Sequence, residues 1–169
     1  KTVQERLLLR TIIDNIPINI YVKDHLSRKV LANRAEYLHM GVSSEEELLG
    51  KDDVQLYPFA SAQLSLAEDQ RVLQGETMIN AETENIRFDG KHTWFLISKI
   101  PLREANGTIT GLVGISLDIT DRKAIEAQLA QREKLYRLIS ENSQDVISIN
   151  SLTGVFEYIS PSCVSLHGY

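Results

Sequence analysis

The sequence contains a single cysteine, Cys163, which excludes an internal disulfide, a cysteine cluster for zinc and a CxxC redox pair. That usage fits a reducing compartment, so a cytoplasmic location is expected. No apolar run approaches the roughly 18 residues that a membrane-spanning helix needs. No segment has the order of a signal peptide either, and no membrane is expected as a partner of this fragment, although a parent protein is free to carry an anchor. Basic charge is scarce: 18 Lys and Arg against 23 Asp and Glu give a net charge of −5. Without a basic patch to meet phosphates, nucleic acid is not an expected partner. Also missing are an HExxH motif, a Gly-rich phosphate loop and a nucleophile beside a base. The acidic runs Asp52-Asp53 and Glu45-Glu46-Glu47 are expected on short surface helices, where carboxylates solvate or cap. Neither catalysis nor a metal site is therefore expected.

What the chain does have is a globular composition, with 43% hydrophobic and 24% charged residues, which argues against disorder. Its 169 residues allow one ordinary domain and a substantial extension. Leu8, Leu9, Ile12, Ile13 and Ile16 recur at helical spacing, predicting an amphipathic helix over 1–16 that stops before Pro17. Ile18 to Lys23 alternates, with Ile18, Ile20 and Val22 on one side and Asn19, Tyr21 and Lys23 on the other, so it reads as a strand. A turn at His25-Leu26-Ser27 leads to a second strand, Lys29 to Asn33. Asn33 can cap a helix over Arg34–Met40 that Gly41 closes, and Ser44 with Glu47 reads as a capping box for Glu45–Leu49. Phe59 to Gln74 is a longer helix, with Phe59, Leu64, Leu66, Val72 and Leu73 on one broad side. Three strands follow, Met78–Phe88, His92–Leu102 and Ile109–Ile119, joined through Asp89-Gly90 and Asn106-Gly107. Two strands, helices, then three strands give an α+β fold with one five-stranded antiparallel sheet and short helices on one face.

On the last strand Val113, Ile115 and Leu117 share the face opposite Leu112. Three branched residues on a wet face call for an apolar cover, either the first helix or the same helix of a second subunit. From Asp121 to Ser140 the chain is charged and helix-favouring, with a short seam of Ile125, Leu129, Tyr136 and Ile139.

A shift of 127 positions lays the last 42 residues on the first 42 without a gap, with seven identities, Gln4/Gln131, Leu8/Leu135, Arg10/Arg137, Ile12/Ile139, Asn15/Asn142, Ile20/Ile147 and Gly41/Gly168. Chance supplies about two or three at ordinary composition. The order helix, Asn, strand, turn at Ser27 or Gly154, strand, cap at Asn33 or Ser160 also repeats, with Val146–Asn150 and Val155–Ser160 as the second hairpin. That is the period of a domain rather than a solenoid. The second copy, 141–169, is expected to be truncated before its own last three strands.

Between Gly90 and Lys123 the sequence resembles the C-terminal motif of PAS domains. The residues are Gly90-Lys91-His92-Thr93-Trp94, Pro101-Leu102-Arg103, Asn106-Gly107, Gly111-Leu112-Val113-Gly114 and Asp118-Ile119-Thr120-Asp121-Arg122-Lys123. The resemblance implies a PAS sensor domain over 17–120, a helical signalling linker over 121–140 and the start of a second PAS domain. It also implies that Asp118 and Thr120 form a signal-transmitting junction, with Thr120 capping the outgoing helix and Asp118 holding nearby backbone donors. The plainer reading is that both residues only end a strand.

PAS domains hold ligands between the concave sheet face and the short helices. The resemblance, with its register set by Trp94 and Pro101, implies that Phe95, Ile97 and Lys99 face that pocket, beside Thr83, Asn85, Leu112, Gly114 and Ser116. Tyr21, Asn33 and Tyr37 are assigned to the other wall. Buried polar groups need partners, which a small polar ligand or ordered water supplies. The alternative is a packed interior with no ligand. For Lys99 the choices are a stem lying on apolar surface with its ammonium in water, or a pair with an acidic ligand or buried carboxylate.

Two cofactors of the family are argued against. A covalent flavin adduct needs a cysteine that the first domain lacks, and haem needs an axial ligand, usually a histidine on the long helix, where there is none. His25, His39 and His92 are expected to be exposed or packed, and non-covalent FAD stays open. The resemblance implies a sensory module of a signal-transduction protein, a sensor histidine kinase ahead of a diguanylate cyclase, signalling through the linker helix. The alternative is a ligand-free dimerisation or docking module. A second copy of the chain is the expected partner, met through the N-terminal helix, the outer sheet face and the linker helix.

Overall fold

The computed structural model describes residues 2–87, 89–142 and 145–167, which divide into compact units 1–120 and 121–169. The first unit opens with α1, Val3–Asn15, started by a capping box in which Thr2 accepts from the Glu5 amide and the Glu5 carboxylate accepts from Thr2. The hairpin β1, Asn19–Asp24, and β2, Lys29–Ala32, follows. Then come α2, Arg34–His39, a 3-10 turn Glu45–Glu47, α3, Asp53–Leu56, and α4, Phe59–Leu73. Strands β3, Met78–Ile86, β4, His92–Arg103, and β5, Ile109–Asp118, complete a five-stranded sheet in the order β2-β1-β5-β4-β3, with every pairing antiparallel. The α+β fold expected from the sequence, one five-stranded antiparallel sheet with short helices on one face, is the fold observed. The expected strand end at Phe88 lies outside the described residues, as does the Gly168 half of the Gly41/Gly168 match.

The centre of the sheet forms because β5 can approach β1 closely. A Cβ at Gly111 would overlap the Lys23 carbonyl, where only glycine fits, and one at Gly114 would overlap the Tyr21 ring, which would have to shift. On the concave face Tyr21, Lys23, Thr93, Phe95, Ile97, Lys99, Leu112 and Ser116 are buried in the alternation that the strands dictate.

Three local expectations are corrected. Ser44 makes no capping bond and only Glu45–Glu47 coils, because the Glu47 carboxylate accepts from the Ser43 amide instead. The Phe59 and Leu64 side chains of α4 are exposed, and Ser61, Ala62, Asp69 and Val72 form its buried stripe. Finally, α1 does not cover the convex face. It is tied to the α2 side by Arg10, 2.7 Å from Glu45, and by Asp14, which accepts from the Arg34 amide. Its Leu7, Leu8, Leu9 and Ile12 are exposed, as are Ile100, Leu102, Ile115 and Leu117 on the sheet.

The second unit holds most of α5, Thr120–Asn142, then β6, Ser148–Asn150, β7, Phe156–Ile159, and α6, Ser162–His167. Its hairpin reproduces β1–β2 bond for bond. Tyr21↔Ala32, Val22↔Leu31 and Lys23↔Lys29 become Ser148↔Ile159, Ile149↔Tyr158 and Asn150↔Phe156, each displaced by the 127 positions of the sequence repeat. The turn residues Ser27 and Gly154 both have positive φ, 59° and 82°. Asn33 Oδ1 accepts from the Ile20 amide at 3.0 Å, and Ser160 Oγ accepts from the Ile147 amide at 2.9 Å. Among the described residues no helix is long and apolar enough to cross a membrane.

Candidate functional site

Alternation along β1 and β4 turns Lys23 and Lys99 toward the concave face, on the same side as Tyr21, Phe95 and Ile97. An ammonium buried there needs counter-charges, since its water shell is gone. The helices provide them. Lys23 Nζ lies 2.6 Å from Asp53 Oδ2 on α3 and 2.6 Å from Asp69 Oδ2 on α4. Lys99 Nζ lies 2.7 Å from the other Asp69 oxygen, 2.9 Å from Glu68 and 3.1 Å from the Ser65 hydroxyl. Lys29, from β2, pairs with Glu36 of α2, and its ammonium stands 4.5 Å above the Tyr21 ring. Lys23, Lys29, Lys99, Glu36, Asp53 and Asp69 each expose 2% or less of their surface.

Burial lowers the Lys23 ammonium, but the charges of Asp53 and Asp69 outweigh it and hold it above its ordinary value. Lys99 is raised in the same way, against burial, by Asp69 and Glu68. For Asp53 burial acts upward and Lys23 overcomes it, leaving the carboxyl below the usual range. Burial pushes the Tyr21 phenol far up, so it stays a neutral hydroxyl. Lys23, Lys99 and Asp53 therefore hold the charges that their pairing requires.

Against this network lies a cavity of about 40 Å³, room for a few waters or a small molecule. Tyr21, Tyr57, Phe95 and Ile97 form apolar wall. Asn19, Ser61, Thr83, Asn85 and Ser116 line it too, together with Lys23, Lys29, Glu36, Asp53 and Glu68. Asp53 Oδ1 is fully buried and has no hydrogen-bond partner, although the Ser65 hydroxyl also favours the charged form of this carboxyl. His39 sits edge-on to Phe95 at 4.9 Å between centroids, and burial lowers its pKa. With Tyr57 it also borders an outer groove of about 310 Å³. Among the described residues no three His, Cys, Asp or Glu side chains gather as a metal-binding group.

Of the residues singled out in the sequence, Tyr21, Thr83, Asn85, Phe95, Ile97 and Ser116 meet at the cavity. Lys99 is buried beside it, paired with protein carboxylates, so the reading with its ammonium in water does not hold. Leu112 packs with Tyr21 and Val72 in the core. Asn33 does not line the cavity. Its Nδ2 donates to the Ile13 and Ile18 carbonyls, and its Oδ1 accepts from the Ile20 and Glu36 amides. Tyr37 is half-buried and outside the lining. At the strand end Asp118 Oδ1 accepts from the Thr120 amide at 2.9 Å. Thr120 is itself the first helical residue rather than a cap, and its hydroxyl accepts from the Trp94 amide at 2.9 Å.

Sequence reasoning missed Lys23, Lys29, Glu36, Asp53, Glu68, Asp69, Tyr57 and His39. The expectation that Asp53 is a solvated surface residue is overturned: Asp52 makes the cap, accepting from the Gln55 amide, and Asp53 turns inward to Lys23. One signal was available, since Lys23 is in phase with Tyr21, and Lys99 with Phe95.

A family model described as "PAS fold" matches residues 13–124. The methanogenesis regulatory histidine kinase FilI of Methanothrix harundinacea is 32% identical over 126 residues, 75% of this chain and 14% of that protein. A diguanylate cyclase of Vibrio cholerae is 28% identical over 144 residues, 83% of this chain and 42% of that protein. The chain thus spans less than half of each of these relatives. The crystal structure of the PAS domain of a protein from Colwellia psychrerythraea superposes with a TM-score of 0.56 at 21% identity, covering 71% of this chain and 99% of that one.

Proposed function

The chain belongs to the PAS-fold family over residues 13–124, and from that premise we propose that 17–120 is the sensory domain of a longer signal-transduction protein, a sensor histidine kinase, that detects a small polar molecule. The observation that carries this reading is the cavity on the concave sheet face, with a charged wall assembled from β1, β2, α2, α3 and α4. Its charges are not a demand of the hairpin and helix. At the positions equivalent to Lys23, Lys29 and Glu36, 127 residues on, the second copy has Asn150, Phe156 and Cys163. Such a costly arrangement is consistent with selection for a site rather than for stability.

In this reading 1–16 is an entry helix, 121–140 the output linker and 141–169 the beginning of a second PAS domain, supported by the matched hairpin bonds. Asp118 and Thr120 tie the end of β5 to the Trp94 amide of β4, so a shift of the cavity strands reaches the start of α5. Neither catalysis nor metal chemistry belongs to this fragment, and it works in the cytoplasm. Native mass spectrometry and an absorption spectrum of the purified chain test the idea. Retained mass or a chromophore agrees with sensing.

An apo dimer with nothing retained would replace it by the second reading, a docking module. That reading is favoured by the exposed Ile100, Leu102, Ile115 and Leu117 on the convex sheet face. A diguanylate cyclase in place of the kinase leaves the sensory role unchanged.

A further inference from the structure

Asp53 combines two properties that rarely coexist. It is 99% buried, and one of its carboxylate oxygens accepts no hydrogen bond. A buried oxygen left unpaired is costly enough that native structures almost always provide a partner. Since Asp53 lines the cavity, a donor within the cavity is the natural partner.

Charge narrows what that donor belongs to. Three ammoniums, Lys23, Lys29 and Lys99, face four carboxylates, Glu36, Asp53, Glu68 and Asp69, and each ammonium already sits on at least one of them. An arriving anion would add to the excess of negative charge and find no uncommitted cation. A neutral or positively charged donor meets Asp53 Oδ1, which has no partner within hydrogen-bond distance, the Ser65 hydroxyl being the nearest protein group that favours its charge.

We propose that the cavity selects a small molecule bearing an N–H or O–H donor and no negative charge, and that Asp53 Oδ1 receives the donor. This rests on reading the cavity as a ligand site. The volume of about 40 Å³ restricts the molecule to a handful of heavy atoms. Lys99 serves the site from behind, by holding Asp69 and therefore Lys23 in place.

Acetamidinium, acetamide and acetate have nearly the same shape and differ in donor capacity and charge, so they separate the possibilities. Each is titrated into the isotopically labelled full chain at matched ionic strength, and amide shifts are followed at Tyr21, Asp53, Phe95 and Ser116. The expected result is saturable shifts with acetamide and acetamidinium, at about tenfold lower concentration than with acetate. In Asp53→Asn that preference shrinks to within about threefold. Should the variant fail to fold, the ranking in the unaltered chain decides alone. Acetate binding as well as the other two, or no shift at these residues with any probe, overturns the inference. A carboxylate or phosphate found retained by native mass spectrometry would also overturn it, while leaving the sensory reading intact.

Discussion

The carboxylate of Asp69, on α4, lies 2.6 Å from the ammonium of Lys23, on β1, and its second oxygen lies 2.7 Å from Lys99 on β4. One side chain thus bridges two buried cations, sharing them with Asp53 and Glu68, and locks the long helix against two strands. Asp69→Ala strips a partner from both, and losing one partner of a buried pair costs about 3–5 kcal/mol. The variant should show a urea midpoint lowered by that loss with the slope unchanged. Unchanged stability would mean that the lysines turn to water.

Lys29 and Glu36 provide the complementary case, because Phe156 and Cys163 stand 127 positions on, where the hairpin register is matched. Glu36→Leu leaves Lys29 buried without a carboxylate and should destabilise by about 3–5 kcal/mol. Adding Lys29→Met should restore most of that, since a packed apolar pair often equals or exceeds a buried ion pair. Equilibrium denaturation of the two single variants and the double closes the cycle.

That network also marks where the sequence stops being legible. The succession of elements along the chain and the facing of the strands were readable because they are local. Alternation in β1, β4 and β5 and the turns at Asp89-Gly90 and Asn106-Gly107 need only neighbouring residues. Charge pairing is not local: Lys23 meets Asp53 and Asp69 30 and 46 positions away. An isolated Asp or Lys reads as a surface residue because most are. On α4, following the larger apolar residues hid the buried stripe, whose members Ser61, Ala62, Asp69 and Val72 keep helical spacing but are small or polar except Val72. Asn33 was legible as a cap, and its role as a junction for Ile13, Ile18 and Ile20 required the tertiary fold.

Stability should fall with acid in two stages. Burial holds the His39 pKa below its ordinary 6.5, so the unfolded chain takes up that proton first and stability drops as pH falls through 6.5 toward the folded value. Asp53 is held below its ordinary 3.8 because Lys23 outweighs burial. Its contribution is complete above that value and disappears as pH falls through the folded pKa. Lys23 and Lys99 are raised above 10.5, so their contribution is intact at neutral pH and fades only in strong alkali. Denaturation curves across pH should show the first decline vanish in His39→Leu and the second persist. A single decline confined to the carboxylate range would contradict the assignment to His39.

Gly111 and Gly114 should differ in how they fail. At Gly111 a methyl group meets the Lys23 backbone, which cannot withdraw without breaking the β1–β5 ladder. At Gly114 it meets the Tyr21 ring, a side chain that can move into the cavity. Overpacking costs about 1–3 kcal/mol when neighbours can adjust and more when they cannot. Gly111→Ala should therefore be the more destabilising, while Gly114→Ala should keep the fold and lose cavity volume. Fluorescence-monitored denaturation and a probe titration would separate the two effects.

Thr120 tests the junction without touching the cavity. Its hydroxyl accepts from the Trp94 amide of β4, and the neighbouring Ile119 amide donates to the Trp94 carbonyl at 2.8 Å, so the residues just after β5 are fastened to its neighbour strand by a pair of bonds. Thr120→Val keeps the shape and removes one of them, leaving the Trp94 amide without its acceptor at a cost of about 1–3 kcal/mol. Thr120→Ser retains the acceptor and should behave like the unaltered chain. Hydrogen exchange should show the Trp94 amide losing protection in the Val variant alone. Probe binding in the cavity should stay the same in both, because Thr120 does not line it. If the chain signals through this junction, ligand-dependent changes in exchange at the start of α5 should weaken in Thr120→Val and persist in Thr120→Ser. Equal ligand responses in the two variants would show that the hydroxyl only terminates a strand.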